Sequence, residues 1–316
     1  DEYKYSVRVS VLPVFDGEKI VMRLLPETSK ALSLEELGLR GEALEWVQHG
    51  LRKPVGMILV TGPTGSGKTT TLYTMLEILN TPQVNISTIE DPIEYRMPRI
   101  NQTQVNPKIG LTFANGLRSL VRQDPDIIMV GEIRDNETAG LAINAALTGH
   151  LVLSTLHTNS AAGAIPRLID MKAEPFLISS TLNLVIAQRL VRRLCLGKEP
   201  YKLKSSEIKN LENYCDLKRI LEILKKEKII KPRQKISDIE FYRPKPTKKC
   251  PEGYSGRVGI FEVLKVTETI KDLIVKKATA AEIQERARKE GMITMVEDGF
   301  IKAAQGITSI EEVLRV

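Results

Sequence analysis

The sequence predicts an α/β protein built on a mostly parallel sheet, carrying a small inserted subdomain and a helical C-terminal region. Three observations lead there. An apolar run, Met57 to Val60, enters the Gly-rich turn Gly62-Pro63-Thr64-Gly65-Ser66-Gly67-Lys68-Thr69 and leaves it in a helix-forming segment. Apolar runs such as Ile127-Ile128-Met129-Val130 alternate with helical stretches, the pattern of parallel strands buried on both faces. The last sixty residues then lose the strand pattern and read as helices over 267–277, 279–290, 293–305 and 308–315.

Taken in order, residues 3–14 and 18–25 alternate apolar and polar around Asp16-Gly17 and predict a β-hairpin. The chain opens inside that alternation, so residues 1–28 are expected to be the last strands of a preceding domain in a longer parent. Ser33-Leu34-Glu35-Glu36 is a capping box that starts a short helix. A core domain over 29–195 should hold strands at 56–61, 84–90, 126–131 and 150–156. Its helices are placed at 67–79, 112–123, 135–148, 160–171 and 174–194. Residues 196–256 break the rhythm with the amphipathic stretch Leu217 to Ile229 and the Pro-rich Arg243-Pro244-Lys245-Pro246, and are read as the inserted subdomain. Residues 257–316 form the C-terminal helical region, with Thr279 and Ser309 as N-caps and Gly291 and Gly306 as stops.

The chain has 316 residues, 42% of them hydrophobic and 27% charged, which excludes a disordered chain. No apolar stretch approaches the ~18 residues of a membrane span, and residues 1–20 do not read as a signal peptide. The net charge of +7 is concentrated in the Lys-rich stretch 198–249. Without interleaved aromatic residues this reads as a solvated basic surface before a nucleic-acid interface. Cys195, Cys215 and Cys250 are too few and too far apart to suggest a disulfide framework and fit a reducing compartment.

The chemistry starts at the glycine-rich turn. Glycines at 62, 65 and 67 let consecutive backbone N–H groups face a polyphosphate. Lys68 supplies charge to the β- and γ-phosphates, and the Thr69 hydroxyl serves Mg²⁺, with Thr70 next in the first helical turn. The chain is therefore expected to bind a nucleoside triphosphate. Two acidic clusters end predicted strands, where ligands of open α/β sheets bind. They are Glu90-Asp91-Pro92-Ile93-Glu94 and Gly131-Glu132-Ile133-Arg134-Asp135. Glu132 is expected to hold Mg²⁺ through water, with Gly131 letting the backbone pass close to the metal. Glu94 is expected to polarise the attacking water, although the two roles are exchangeable; Asp135 reads as a helix N-cap. His150 and His157 border the strand at 150–156, and His157 is placed to sense the γ-phosphate. Metal binding by that pair lacks a third ligand.

In combination these motifs resemble the secretion ATPases of type II secretion and type IV pilus assembly, over nearly the whole chain. The resemblance rests on the phosphate loop, the acidic box Glu90 to Glu94, the Gly131-Glu132 form of the Walker B strand and the histidine-bordered segment Thr148 to Asn159. Ala187-Gln188-Arg189-Leu190 follows them. It implies a RecA-like P-loop NTPase core, a PAS-like preceding domain, ATP with Mg²⁺, and a homohexameric ring. Lys68, Glu94, Glu132 and His157 would be the catalytic set. Arg8 and Arg23 would reach nucleotide phosphates from the preceding domain; read alone, they are exposed strand residues. Many relatives of the assembly type carry two Cys-x-x-Cys pairs for zinc, but here Lys198 and Thr247 stand where partners of Cys195 and Cys250 belong, so no zinc is expected.

The inserted subdomain implies the assembly branch over the retraction branch. The function so implied is an ATP-hydrolysing motor that drives pilus assembly or type II secretion. It would work in the cytoplasm against an inner-membrane platform protein and other assembly proteins, without nucleic acid. The alternatives are a DNA-translocating conjugation-type ATPase and a nucleotide-binding regulator that does not hydrolyse.

Overall fold

The structure is a computed structural model and describes residues 5–26 and 32–316. It begins with a hairpin of β1 (Tyr5–Val14) and β2 (Gly17–Pro26), in which Arg8 stands opposite Arg23. The side chains of Arg8 and Arg23 lie outside the described residues. Val9, Val11, Met22 and Leu24 of this ribbon are exposed, and a two-stranded ribbon without a covered face has little stability of its own.

The core follows as α1 (Leu34–Leu37), α2 (Gly41–Leu51), β3 (Gly56–Thr61), α3 (Lys68–Leu79), β4 (Ile86–Glu90) and β5 (Ile100–Gln104). Next come α4 (Phe113–Leu120), β6 (Ile127–Val130), α5 (Asn136–Leu147), β7 (Leu151–Leu156), α6 (Ala164–Asp170), α7 (Pro175–Thr181) and β8 (Leu182–Leu194). The Ser33 capping box forms as expected, and Asp135 caps α5 through the Thr138 N–H. After β8 come β9 (Glu199–Lys202), α8 (Ser205–Leu211), α9 (Leu217–Lys226), β10 (Glu240–Arg243) and β11 (Tyr254–Lys265). The chain closes with α10 (Glu268–Val275), α11 (Ala280–Lys289), α12 (Met295–Ala304) and α13 (Ile310–Arg315).

Seven strands form one sheet in the order β11-β8-β3-β7-β6-β4-β5. All neighbours are parallel except β11 against β8. Every residue of β3, β4, β6 and β7 is buried, because helices cover both faces, and β3 and β6 in particular read as apolar runs.

Three expectations are corrected. The helix placed over 174–194 is the short α7 followed by the thirteen-residue β8. The run Leu184 to Leu190 contains good helix formers, but pairing with β3 on one side and β11 on the other overrides that weak preference. β5 escaped notice because it is a polar edge strand, Ile100-Asn101-Gln102-Thr103-Gln104, with only its first residue buried. The C-terminal region drawn from residue 257 starts inside β11, a strand of the main sheet.

The cysteine reading also fails. Cys195 and Cys250 form a disulfide across a sequence separation of 55, while Cys215 is free. Antiparallel pairing sets Tyr254 opposite Leu194, so the chain leaving β8 and the chain entering β11 meet at one place. The disulfide closes the base of the segment between them. That segment shares one apolar core with the C-terminal helices: Leu203, Ile220 and Phe241 pack with Phe300, Ile301 and Val313.

Candidate functional site

The C-terminal ends of β3, β4, β6 and β7 open onto a cleft of about 790 Å³, the place where open parallel sheets bind ligands. Thr64, Gly65, Gly67, Lys68, Thr69 and Thr70 line one wall. Glu94, Glu132 and His157 line the same cleft, so the structure gathers loop, acidic clusters and histidine in one place. Gly62, Pro63 and Ser66 complete the loop behind that wall.

The loop's shape depends on its glycines. Gly62 has φ 148°, and a Cβ there would stand 2.5 Å from the Gln188 carbonyl oxygen. Gly65 has open space around it but φ 79°, a backbone state that other residues adopt only with strain. α3 starts directly after Gly67 with no side-chain cap, leaving its first N–H groups directed at the cleft, as an anion site requires. The Lys68 ammonium turns back onto its own loop, donating to the Gly62 carbonyl at 2.8 Å and the Pro63 carbonyl at 3.0 Å. Burial lowers its pKa from the ordinary lysine value, and the Glu132 charge opposes that shift.

Glu132 is positioned by its backbone. Gly131 N–H donates to the Ile89 carbonyl at 2.8 Å, and the Gly131 carbonyl accepts from the Thr155 hydroxyl at 2.8 Å. A Cβ on Gly131 would come 3.3 Å from the Ile89 oxygen, so this glycine answers to close packing against β4. The Glu132 carboxylate is held by Arg134 and lies 3.2 Å from His157 Nε2. Burial works against its ionisation, but the hydrogen bond and charge of Arg134, with those of His157, bring its pKa below the ordinary value.

The first residue of the other acidic cluster borders the cleft but is spent on donors of the protein itself. Glu90 is 2% exposed and accepts from Tyr73, from the Thr88 hydroxyl at 2.5 Å and from Gln102 Nε2 at 3.2 Å. Burial raises its pKa despite these donors. The Tyr73 oxygen also accepts from the Glu94 N–H at 3.3 Å, which anchors the turn that presents Glu94. Among the described residues the Glu94 carboxylate has no ion-pair partner.

Sequence reasoning missed Tyr73, Gln102 and the role of Gln188. Gln188 is 2% exposed beneath the loop; its Nε2 donates to the Ser66 carbonyl at 2.7 Å, and its Oε1 accepts from the Thr71 hydroxyl at 2.8 Å. The available signal was a lone amide in an apolar run. His150 does not join the cleft. It stands at the other end of β7 from His157, roughly 20 Å away at 3.3 Å per residue, and its Nδ1 contacts the Ala145 carbonyl at 2.8 Å.

Among the described residues no group of three or more His, Cys, Asp or Glu side chains is arranged to hold a metal. A hydroxyl at Thr69 and a carboxylate at Glu132 in one cleft are hard oxygen donors, which suit Mg²⁺ bound mainly through phosphate oxygens and water. No helix of the described residues is long and apolar enough to cross a membrane.

A family model described as "Type II/IV secretion system protein" matches residues 1–315. The type II secretion system protein E of Xanthomonas campestris is 50% identical over 312 residues, covering 98% of this chain and 52% of that protein. The type IV pilus assembly ATPase PilB of Pseudomonas aeruginosa is 48% identical, again covering 98% of this chain and 52% of the relative. The chain thus spans about half the length of these relatives. Among solved structures, the pilus retraction motor PilT with bound ADP aligns with TM-score 0.68 at 29% identity, covering 98% of this chain and 73% of that one. Legionella pneumophila DotB aligns with TM-score 0.65 at 25% identity, covering 98% and 72%. The mostly parallel α/β sheet agrees with the RecA-like fold of these solved structures, and the chain belongs to the type II/IV secretion system protein family.

Proposed function

We propose that this chain is the ATP-hydrolysing part of a motor subunit that drives type IV pilus assembly or type II secretion. The observation that carries the reading is the convergence of Lys68, Thr69, Glu94, Glu132 and His157 on one cleft at the ends of four buried strands. The names of the relatives, type II secretion protein E and pilus assembly ATPase, support it.

The Lys68 donors now spent on the Gly62 and Pro63 carbonyls would move to the β- and γ-phosphate oxygens, while the first N–H groups of α3 hold the phosphates in place. Mg²⁺ bound through Thr69 and Glu132 would neutralise charge that develops on the phosphates. Glu94 would orient the attacking water. His157, in contact with Glu132, would register the state of the γ-phosphate. Arg8 and Arg23, on β1 and β2, would add positive charge from a preceding domain. In this reading 29–195 with β11 is the ATPase core, the segment between β8 and β11 is the insert, and α10 to α13 form the C-terminal region. The working form is a homohexamer on the cytoplasmic side of the inner membrane, pushing on a platform protein. The role of zinc is taken by the Cys195–Cys250 bond at the base of the insert.

Turnover of Mg-ATP by the wild-type chain and by Glu132→Gln tests this reading, with light scattering to follow the oligomer with and without a non-hydrolysable nucleotide. Glu132→Gln should bind ATP and lose turnover by about 100-fold or more, as expected for a lost charge contact in phosphoryl transfer. Unchanged turnover in the ring form would refute the role of Glu132. Turnover stimulated steeply by DNA would favour a nucleic-acid translocase instead.

A further inference from the structure

The loop that carries His157 is held at two points. At one, the Thr61 hydroxyl at the end of β3 accepts from the Thr158 N–H at 2.9 Å and contacts the Thr158 carbonyl at 2.9 Å. At the other, the Ala161 N–H donates to Glu262 Oε1 at 2.8 Å. Glu262 lies in β11, is 2% exposed, and has no ion-pair partner among the described residues. The backbone N–H of Met295, the first residue of α12, faces the same carboxylate and helps to keep it ionised. In that same helical turn Glu297 receives Arg219 Nε from α9 and Arg288 Nη2 from α11, each at 2.8 Å. A single buried carboxylate therefore holds the cleft loop at the place where β11 meets α12, whose first turn takes the neighbouring Phe261 N–H on Asp298 Oδ2 at 2.8 Å. Burying an unpaired carboxylate is costly, and a neutral side chain would serve the packing alone.

We propose that Glu262 is a positioning residue: it fixes the His157 loop to the first turn of α12, so that displacement of the C-terminal helices is felt at the His157–Glu132 contact. The proposal rests on the hydrolysis reading given above. Burial foremost, with the Glu297 charge, raises Glu262 to about 6, against the Ala161 and Met295 donors and the Arg288 charge. Above that pH the carboxylate accepts the Ala161 N–H and attracts that of Met295; below it, one oxygen carries a proton and the tie weakens.

Steady-state turnover between pH 5.5 and 8 is compared for wild type and Glu262→Gln. At pH 8 Glu262→Gln should lower kcat about five-fold with KM for ATP unchanged, the size of one weakened charged hydrogen bond. The wild-type-to-variant ratio should shrink toward one as pH falls through about 6. A ratio of one throughout, or a ratio constant with pH, overturns the inference. The second arm approaches from the other end. Met295→Pro removes the α12 donor at a helix position that tolerates proline, and Met295→Ala restores it without the side chain. Hydrogen exchange of residues 157–163 should be faster in Met295→Pro than in Met295→Ala, and equal rates overturn the inference. This arm needs no turnover, so an inactive wild-type chain would count against the hydrolysis reading and leave the exchange result to decide this one.

Discussion

Gln188→Leu removes the side chain that holds the phosphate loop from beneath. Leucine nearly matches the volume of glutamine, so both hydrogen bonds are lost without a cavity. The Thr71 hydroxyl can turn to the Gly67 carbonyl, four residues earlier in the same helical turn, a usual fallback for a helical threonine. The Ser66 carbonyl has no comparable substitute, since Ser66 is 4% exposed and Gln188 Nε2 is its side-chain donor. A buried carbonyl left without a donor costs ~1–3 kcal/mol, and replacing the amide with apolar groups returns roughly 1 kcal/mol of that. The remaining ~0–2 kcal/mol, centred near 1, falls on the loop conformation that receives phosphates, which corresponds to an ATP Kd weakened about 5-fold at the centre and about 30-fold at most. Titration with a fluorescent ATP analogue measures it directly. Gln188→Glu is the sharper comparison: it keeps an acceptor for Thr71, sets an oxygen against the Ser66 carbonyl and adds negative charge under the phosphates. It should bind more weakly than the leucine variant. Wild-type affinity in Gln188→Leu, or tighter binding by Gln188→Glu than by Gln188→Leu, would refute the argument.

Tyr73→Phe leaves Glu90 with one donor fewer and releases the Glu94 N–H. It should destabilise the fold by ~1–3 kcal/mol, read by denaturant titration, and lower kcat more than it raises KM; an unchanged midpoint would contradict the buried geometry. Glu312 ties α13 to β8, accepting from Arg192 Nη2 at 2.8 Å and Arg315 Nη2 at 3.0 Å. Burial opposes its charge, but these arginines hold it at about 2, below the ordinary 4.5. A depressed carboxylate contributes stability that is full above its unfolded value and lost as pH falls toward the folded one. The Tm gap between wild type and Glu312→Gln should therefore be constant above about pH 5 and close between 4.5 and about 2. A gap that widens on acidification would show the wrong sign.

The phosphate loop was legible because its chemistry lies in eight consecutive residues, each constrained by local geometry: positive φ at the glycines and a helix that must start at Lys68. Glu94, Glu132 and His157 were legible because each follows an apolar strand, and strand ends converge in a parallel sheet. Contacts that close only in three dimensions were not. Gln188 meets Ser66 across 122 residues, and Glu262 meets Ala161 across 101; no local period marks either one.

The errors over residues 174–265 share one physical origin. Reading Leu182–Leu194 as helix takes away the strand that β11 pairs with, and the segment after the insert then has no reason to be a strand. Without that antiparallel pair nothing brings residue 250 near residue 195, and the two cysteines look distant. Once β8 is a strand, Glu262 pairs with Ala187, and past an irregularity between Tyr254 and Arg257 that shifts the register, Tyr254 pairs with Leu194. The same antiparallel pair sets the disulfide at one end and Glu262 near the cleft loop at the other. A one-residue slip of β11 against β8 would turn Glu262 to the opposite face, just as a slip of β8 against β3 would carry Gln188 away from the phosphate loop. The pairing of β8 with β11 thus belongs to the construction of the nucleotide site as much as the loop does, although no residue of either strand stands in the loop motif.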